Sequence, residues 1–338
     1  MIQINEVNLQ TNWQKELANV VTDVKELLEM LSLTEHFDSR DIEAKRLFPM
    51  RVPRPFIAKM RHGDATDPLL LQVLPQHQEF ISAAGYIKDP LEEQDAPVPG
   101  LLHKYRSRVL LMLKTGCAVN CRYCFRRHFP YQENQVNKRT LEPVFAYLAA
   151  HPEINEVILS GGDPLMAKDE MIAWLLDRLE QLPQIKRLRI HSRLPVVIPA
   201  RVTDELCQRL ATSPLKVVLV NHINHGNEID AAFKAAMQKL KQADVTLLNQ
   251  AVLLRDINDS ATTQAELSEA LFDADILPYY LHLLDKVEGA SHYNVSEESA
   301  KHIMAELLET LPGFLVPKLV REIGGQPSKT PINLGLPL

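Results

Sequence analysis

The sequence predicts an α/β protein in which a helical N-terminal region precedes a parallel sheet, either open or curled into a barrel. In residues 1–95, apolar side chains recur at the spacing of amphipathic helices. From about residue 107 onward, short apolar runs typical of buried strands alternate about six times with helical patterns. Directly after the first of these runs, three of the four cysteines fall within eight residues. Such a cluster at a strand end is the first candidate for a functional site.

Composition excludes several classes of protein. The chain has 338 residues, of which 46% are hydrophobic and 24% charged, and this excludes a disordered chain, a coiled coil and collagen. Its formal net charge of −6 argues against a nucleic acid as the main partner. No apolar stretch approaches the roughly 18 residues of a membrane span, and no signal-peptide pattern is visible, so we expect a cytoplasmic protein. Four cysteines are too few for a disulfide scaffold.

The N-terminal region is expected to form short helices. Helical patterns cover residues 12–33, 41–48 and 67–74. Asp38 and Ser39 stand where the second of these helices would be capped. The proline-rich and acidic segment 88–100 has the composition of an exposed linker, so we expect the helical region to end at about residue 95.

The remainder of the chain supplies the strands and helices of the sheet. Strands are expected at residues 108–113, 156–162, 186–192, 216–223, 245–254, 279–284 and 314–320. Helices are expected at residues 141–150, 171–182, 203–211, 229–243, 263–275 and 296–311, several of them with Ser, Thr or Asp at the cap. Active sites of such folds lie at the carboxyl ends of the strands. The residues found there are polar and glycine-rich, at 114–124, 161–164, 191–193, 221–225, 249–250 and 285–289.

Cys117, Cys121 and Cys124 have the spacing C-x3-C-x2-C and follow the first expected strand. Thiolates in one loop can converge on a single metal centre, and four-iron clusters are normally held by four cysteines. With only three, one iron stays open to bind another ligand. The fourth cysteine, Cys207, lies in an expected helix and is interpreted as a packed bystander.

Two alternatives compete with an iron–sulfur cluster at this loop. The cysteines could be reduced core residues without metal, but Arg122, Arg126 and Arg127 make the loop too polar for core packing. They could instead hold zinc with His128 as the fourth ligand, since a structural zinc site needs four protein ligands. The cluster with an open iron is favoured over both.

The cysteine spacing at this position resembles the signature of the radical S-adenosylmethionine (SAM) enzymes. The segment Ser160-Gly161-Gly162-Asp163-Pro164, at the end of the second expected strand, is similar to the one with which that family binds the methionyl amino end of SAM. The resemblance implies a partial (βα)6-type radical SAM barrel over residues 96–325, a [4Fe-4S] cluster on the three cysteines, SAM on the open iron and an external electron donor. The cofactor-binding residues implied in this segment are Ser160, Gly161, Gly162 and Asp163.

Lys329 lies near the C-terminus, between Gly324-Gly325 and Thr330-Pro331. Without context it would be a solvated tail lysine. Its surroundings, however, resemble those of the lysine that binds pyridoxal 5′-phosphate (PLP) in the lysine 2,3-aminomutases, a radical SAM subfamily that the sequence resembles over about residues 20–335. The resemblance implies that Lys329 is catalytic and forms a Schiff base with PLP, on a C-terminal segment covering residues 326–338.

Further residues match the aminomutase pattern one by one. The resemblance implies that Arg108 holds the PLP phosphate, that Lys104 is a second phosphate ligand, and that Gln250 lies near the pyridine ring. Lys104 stands where the family often has arginine. All three are therefore expected to be cofactor-binding residues.

Three charged residues are implied in substrate recognition. Arg126 corresponds to the arginine that grips the substrate carboxylate, a task to which a guanidinium fork is suited. Asp285 and Glu322 correspond to two acids that receive the distal ammonium of lysine. Glu322 stands where lysine-specific members have aspartate, which keeps the charge and extends the reach by one methylene.

The resemblance therefore implies an isomerase that converts L-α-lysine to β-lysine. The chain lacks the cysteine-bearing extension of longer aminomutases, so no zinc is expected, and it resembles the short members of the elongation factor P modification pathway. That likeness implies (R)-β-lysine as product, a ligase that attaches it to elongation factor P, and a homo-oligomer, by default a dimer. The alternatives are a 2,3-aminomutase for another amino acid, an iron–sulfur redox protein without mutase activity, and a scaffold bound to elongation factor P.

Overall fold

The computed structural model describes residues 13–36, 39–93, 97–129 and 136–335, and within them nine strands form one sheet in the order of the chain. The strands are β1 (Leu101–Tyr105), β2 (Arg108–Lys114), β3 (Glu156–Gly161), β4 (Arg187–Ser192), β5 (Lys216–His222), β6 (Thr246–Val252), β7 (Leu277–His282), β8 (Lys318–Arg321) and β9 (Thr330–Pro331). Strands β2 to β8 pair in parallel, whereas β1 and β9 pair antiparallel with β2 and β8 at the two ends of the sheet.

Helices precede the sheet and alternate with its strands. The N-terminal α-helices are α1 (Trp13–Ala18), α2 (Val24–Met30), α3 (Ser39–Glu43), α4 (Arg54–Ile57) and α5 (Pro68–Leu71). Those of the barrel are α6 (Glu142–Ala150), α7 (Asp169–Leu179), α8 (Leu194–Val197), α9 (Asp204–Ala211), α10 (Ala231–Gln242), α11 (Ala261–Phe272) and α12 (Glu297–Thr310). Short 3-10 helices cover Ala44–Arg46, His77–Phe80, Pro164–Met166, Pro199–Arg201, Gly226–Glu228, Ser291–Tyr293 and Gly313–Leu315. Each strand from β2 to β7 is followed by at least one α-helix, which gives the six βα units of the expected partial barrel.

All seven expected strands of the barrel are present, and so are the six expected helices between them. Side-chain caps support four of the helix starts: Thr203, Asp230, Ser260 and Ser296 each accept a hydrogen bond from a backbone N–H of the first turn. The two edge strands β1 and β9 were not expected, because β1 directly follows the segment taken for a linker and β9 has only two residues. Half-buried Cys207 lies in α9, as expected.

The first expected helix is divided into α1 and α2. Val21 lies between them and exchanges two backbone hydrogen bonds with Val52. Asp23 then caps α2, since its carboxylate accepts hydrogen bonds from the N–H groups of Lys25 and Glu26 at 2.7 and 3.3 Å. The prediction of one continuous helix over residues 12–33 is therefore wrong, because bridge and cap satisfy backbone groups that a continuous helix would pair internally. Asp38, the expected cap of the next helix, lies outside the described residues.

The prediction of an exposed linker at residues 88–100 is met only in part: Lys88, Glu92, Pro97 and Pro99 are exposed, but other residues of the segment are buried. Glu93 is only 4% exposed and Leu91 is buried, while residues 94–96 lie outside the described ranges. Just before the segment, Ile87 exchanges backbone hydrogen bonds of 3.0 Å with Lys286 and Glu288 in the loop after β7. The segment is thus anchored to the protein at Leu91 and Glu93, and Glu93 forms ion pairs in the interior.

The N-terminal helices pack directly on the barrel. Apolar side chains from both parts form one continuous cluster, which extends from Trp13 to Leu319. Fully buried Arg122 of the cysteine loop donates to the carboxylate of Glu79 in the N-terminal part at 2.8 and 2.5 Å. The division of the chain at about residue 95 stays a prediction. Within the described residues, no helix is long and apolar enough to span a membrane.

Candidate active site

A single cavity of about 980 Å³ brings the sequence-predicted site residues together. It extends from the carboxyl ends of the parallel strands, where the βα connections begin, along the inside of the sheet to Arg108 and Glu156, the first residues of β2 and β3. Its lining includes every residue that the family resemblance implies in the site: Lys104, Arg108, Cys117, Cys121, Cys124, Arg126, Ser160, Gly161, Gly162, Asp163, Gln250, Asp285, Glu322 and Lys329. Segments separated by more than two hundred residues therefore share one site.

The cysteine loop follows β2 and is fixed by its own turns and by the N-terminal helices. The N–H of Cys124 donates to the carbonyl of Cys121 at 3.0 Å, and the N–H of Arg122 donates to the carbonyl of Gln72 at 2.9 Å. Burial raises the pKa of the Cys117 thiol well above its usual value and that of Cys124 to about 11. Because metals bind thiolates, loading this loop must release protons.

The three thiols line the same cavity, as the ligands of one iron–sulfur cluster must. Among the described residues, no group of three His, Cys, Asp or Glu side chains is close enough to hold one metal ion. A cluster does not require such convergence, because each sulfur binds a different iron. His128, the alternative fourth zinc ligand, does not line the cavity, and its Nε2 instead lies 3.2 Å from the carbonyl oxygen of Glu288.

The glycines after β3 allow two backbones to approach each other closely. A Cβ atom on Gly162 would lie 2.6 Å from the carbonyl oxygen of Gly116, and Gly161 has φ +108°. The N–H groups of Gly162 and Asp163 donate to the carbonyls of Lys114 and Gly116, both at 2.9 Å. We expected these glycines to admit a ligand; the close approach that the structure shows is to the cysteine loop itself.

Asp163 binds the surrounding chain segments through hydrogen bonds. Its carboxylate accepts hydrogen bonds from the hydroxyl of Ser192 at 2.7 Å and from the N–H groups of Leu165, Arg193 and Leu194 at 2.8 to 3.0 Å. Burial raises the pKa of this carboxyl group, while these donors oppose the shift. Asp163 thus joins the end of β3 to the end of β4 and so orients the segment 160–163.

Arg126 is held on two sides within the cavity. Its Nε and Nη2 donate to the two carboxylate oxygens of Glu93 at 2.6 and 3.0 Å. Its Nη1 donates to Ser160 Oγ at 3.3 Å and to the carbonyl of Gly161 at 3.2 Å. The guanidinium expected to bind a substrate carboxylate is therefore already engaged with a carboxylate of the protein.

Charged side chains of alternating sign continue from this pair to Lys329. Lys104 Nζ lies 3.0 Å from Glu93 and 3.9 Å from Glu322, and Glu322 forms an ion pair with Lys329. Burial acts to raise the pKa of Glu322, but Lys329 and Lys104 outweigh it and hold the pKa below its usual value. Tyr105 Oη also donates to Glu322, at 3.2 Å. Glu322, one of the two expected substrate acids, is thus paired with the expected PLP lysine.

The pKa of the Asp285 carboxyl group lies well above that of an ordinary aspartate. Burial, together with the negative charge of Glu322, raises the pKa of Asp285 to about 7, although Lys329 opposes the shift. A cation bound beside Asp285 would restore its ionised form. This environment suits a ligand that brings an ammonium group.

The wall formed by β4 to β7 fits a polar aromatic ligand such as PLP. Gln250 Nε2 lies 2.8 Å from His222 Nε2, whereas Gln250 Oε1 and the Nε2 atoms of His191 and His282 have no hydrogen-bond partner among the described residues. Burial keeps all three imidazoles neutral and lowers the pKa of His222 to about 3. Arg108, whose guanidinium lies 4.1 Å from the centre of the Tyr105 ring, adds a cation for a phosphate group.

Sequence reasoning missed two groups of residues in this site. Glu93 was assigned to a linker, and because it lies 33 residues before Arg126, no local signal marks the two as partners. His191, His222 and His282 lie at or next to the carboxyl ends of β4, β5 and β7 and line the cavity, and their position at strand ends is the signal that could have found them.

Comparisons with known proteins agree with this geometry. The radical SAM superfamily profile matches residues 112–264, which include the end of β2, the cysteine loop and β3 to β6. L-lysine 2,3-aminomutase of Escherichia coli (strain K12) is 60% identical over 96% of this chain and 95% of its own length. The enzyme of the same name from Haemophilus influenzae is 56% identical over 94% and 95%. That of Clostridium subterminale is 33% identical over 95% of this chain and 77% of its own length. With these identities over nearly its full length, the chain belongs to the lysine 2,3-aminomutase family of the radical SAM superfamily.

Proposed function

We propose that the chain isomerises L-lysine to β-lysine by radical chemistry, with (R)-β-lysine as the product. One observation carries the proposal: the cysteine loop, Lys329, Arg126 and the acids Asp285 and Glu322 line the same cavity. A redox protein would need the cysteines. It would need neither a carboxyl group placed to bind a cation, such as that of Asp285, nor Lys329 near the C-terminus.

The family's cofactors are a [4Fe-4S] cluster, SAM and PLP. When bound, they supply a reducible metal centre, a radical that removes a hydrogen atom from the substrate, and a ring that delocalises electrons while the amino group migrates. The three cysteines would hold the cluster, and the segment 160–163 would hold SAM. Lys329 would bind PLP covalently, with Arg108 at the phosphate and Gln250 beside the ring.

Existing hydrogen bonds limit the role of Lys104 as a phosphate ligand. Its ammonium donates to Glu93 at 3.0 Å and to the carbonyl of Leu91 at 3.1 Å. Contact with a phosphate would compete with these bonds. We therefore assign the phosphate first to Arg108 and give Lys104 the additional task of neutralising Glu93.

The charged side chains can hold lysine at both ends. Arg126 would receive the α-carboxylate by exchanging the carboxylate of Glu93 for that of the substrate, which preserves two charge-assisted hydrogen bonds. Asp285 and Glu322 would receive the distal ammonium, and Glu322 can do so when PLP occupies the nitrogen of Lys329. Fixing both ends of a flexible chain places its reacting carbons in one position, and this is the contribution that the protein makes to the rate.

Turnover under anaerobic conditions tests the activity. The protein reconstituted with iron and sulfide is incubated with SAM, PLP, dithionite and, in separate reactions, L-lysine, L-arginine or L-glutamate, followed by chiral analysis of the amino acids. We expect (R)-β-lysine from lysine and no β-amino acid from the other two. A β-amino acid from another substrate only would transfer the assignment to that substrate, and none from any substrate with a fully reducible cluster would favour a redox protein.

We propose further that the product serves the modification of elongation factor P, and that the enzyme works in the cytoplasm as a homo-oligomer with an external electron donor. The resemblance to short aminomutases supports this assignment. The test is to incubate elongation factor P and its ligase with the product of the reaction and to measure the mass of the factor. A mass increase of one lysyl residue with β-lysine, and a smaller yield with α-lysine, is expected; equal yields would contradict the link.

A further inference from the structure

A buried polar cluster lies directly behind Cys121 and has no place in the roles assigned so far. Its centre is Arg193, which follows β4 and is 5% exposed. Its Nη1 donates to the sulfur of Cys121 at 2.8 Å, and also to the hydroxyl of Tyr123. A cationic donor thus contacts one of the three sulfurs of the proposed cluster site.

The position of this guanidinium is fixed from the other side. Arg193 Nη2 donates to Gln72 Oε1 at 2.7 Å and to Glu228 Oε2 at 2.9 Å. Glu228 is itself fully buried, and its Oε1 accepts hydrogen bonds from the N–H groups of Asn224 and His225 at 2.9 and 3.1 Å. Two separate parts of the chain, at Gln72 and at residues 224–228, therefore hold one arginine against one cysteine.

In this cluster the positive charge of Arg193 lies next to Cys121, and the negative charge of Glu228 lies on the other side of the arginine. The guanidinium touches the sulfur directly, whereas the carboxylate of Glu228 lies behind the guanidinium. Cys121 therefore receives a hydrogen bond from the positive end of a buried ion pair, in surroundings where water screens little of the charge. The guanidinium of Arg126, by comparison, is bonded to Glu93 and to the segment 160–163.

We propose that Arg193 is a positioning residue that fixes the orientation of Cys121 and raises the reduction potential of the cluster. The proposal rests on the proposed function to the extent that Cys117, Cys121 and Cys124 hold a cluster. Hydrogen bonds to the sulfurs and nearby positive charge stabilise the reduced, more negative cluster, so they make it easier to reduce. The network of Gln72, Asn224 and Glu228 keeps the donor in place.

The test is the midpoint potential of the reconstituted holoprotein, measured without SAM by a redox titration followed by electron paramagnetic resonance. For Arg193→Gln we expect full iron and sulfide content. We also expect the equilibrium constant for reduction to fall at least tenfold, which lowers the midpoint potential by about 59 mV for one electron. Arg193→Lys, which keeps the charge but loses the fork, should give an intermediate value.

Two further variants make the test decisive. Arg193→Gln leaves Glu228 unpaired and can prevent folding, so the double variant Arg193→Gln/Glu228→Gln, which leaves neither charge buried, carries the test in that case. Arg201→Gln is the control, since Arg201 is also fully buried and pairs with Asp169 at 2.7 Å but does not line the cavity. An unchanged potential in the iron-loaded Arg193 variants, or an equal shift in the control, overturns the proposal. Wild-type protein that binds no iron would instead contradict the proposed function.

Discussion

Glu93 holds Arg126 through two hydrogen bonds of 2.6 and 3.0 Å inside the cavity, in the geometry with which an arginine binds a substrate carboxylate. Burial acts to raise the pKa of Glu93, but Arg126 and Lys104 outweigh it and keep the pKa below its usual value, so the group is ionised at neutral pH. From Glu93 the charges continue through Lys104 and Glu322 to Lys329. The charges proposed to bind the substrate thus have partners within the protein, and a zwitterionic amino acid can replace those partners.

Glu93→Gln tests this replacement. A neutral amide competes less strongly for Arg126 than a carboxylate does, so we expect the KM for lysine to fall about tenfold, equal to about 1.4 kcal/mol, with little change in kcat. Steady-state kinetics under anaerobic conditions measure both constants. Glu92→Gln, at the exposed neighbouring position, is the matched control and should leave KM unchanged. A rise in KM for Glu93→Gln would show that Glu93 supports Arg126 and does not compete for it.

Lysine recognition should depend on pH because of Asp285. With its pKa raised to about 7, Asp285 is mostly protonated below that pH and cannot offer a charge to an ammonium group. Affinity should therefore rise as the pH increases through about 7 and level off above it, with a difference of about tenfold between pH 6 and the plateau.

A probe without the reacting amino group isolates this effect. 6-Aminohexanoate keeps the carboxylate and the distal ammonium of lysine, so its inhibition constant reports on binding alone. Asp285→Asn should weaken inhibition at high pH and flatten the profile. An unaltered pH dependence in this variant would assign the titration to another group.

Lys329→Ala should abolish turnover, by about a thousandfold or more, which corresponds to about 4 kcal/mol in the barrier. The cause is loss of the covalent attachment of PLP, so PLP should separate from the variant on gel filtration. The absorbance and iron content of the cluster should match the wild type, because the cysteine loop lies on other elements. Lys318→Ala, an exposed lysine on β8, is the control. Retained activity in Lys329→Ala would remove the lysine from its proposed role.

Periodicity and local motifs made much of the barrel predictable from sequence. Strands β2 to β8 are apolar runs, and the cysteines carry their spacing within one loop, so both are visible without tertiary information. The ion pairs inside the cavity could not be predicted in this way, because they join distant parts of the chain. Glu93 and Arg126 are separated by 33 residues, and no local pattern distinguishes a glutamate in a buried pair from one in an acidic linker. Likewise, the break between α1 and α2 depends on Val52, which lies beyond the helix that it interrupts.

Glu79 should be essential for stability because it neutralises two arginines of the cysteine loop. Its Oε2 accepts hydrogen bonds from Arg122 at 2.5 Å and from Arg127 at 2.6 Å, and all three side chains are buried. Glu79→Gln leaves both cations without their counter-charge, so we expect a loss of about 3–5 kcal/mol in the free energy of unfolding. Urea unfolding of the apoprotein measures this loss. Glu142→Gln is the matched control, because Glu142 also pairs with an arginine but is exposed, and it should barely move the urea midpoint. Equal shifts in the two variants would show that the N-terminal helices do not depend on this ion pair to hold the cysteine loop.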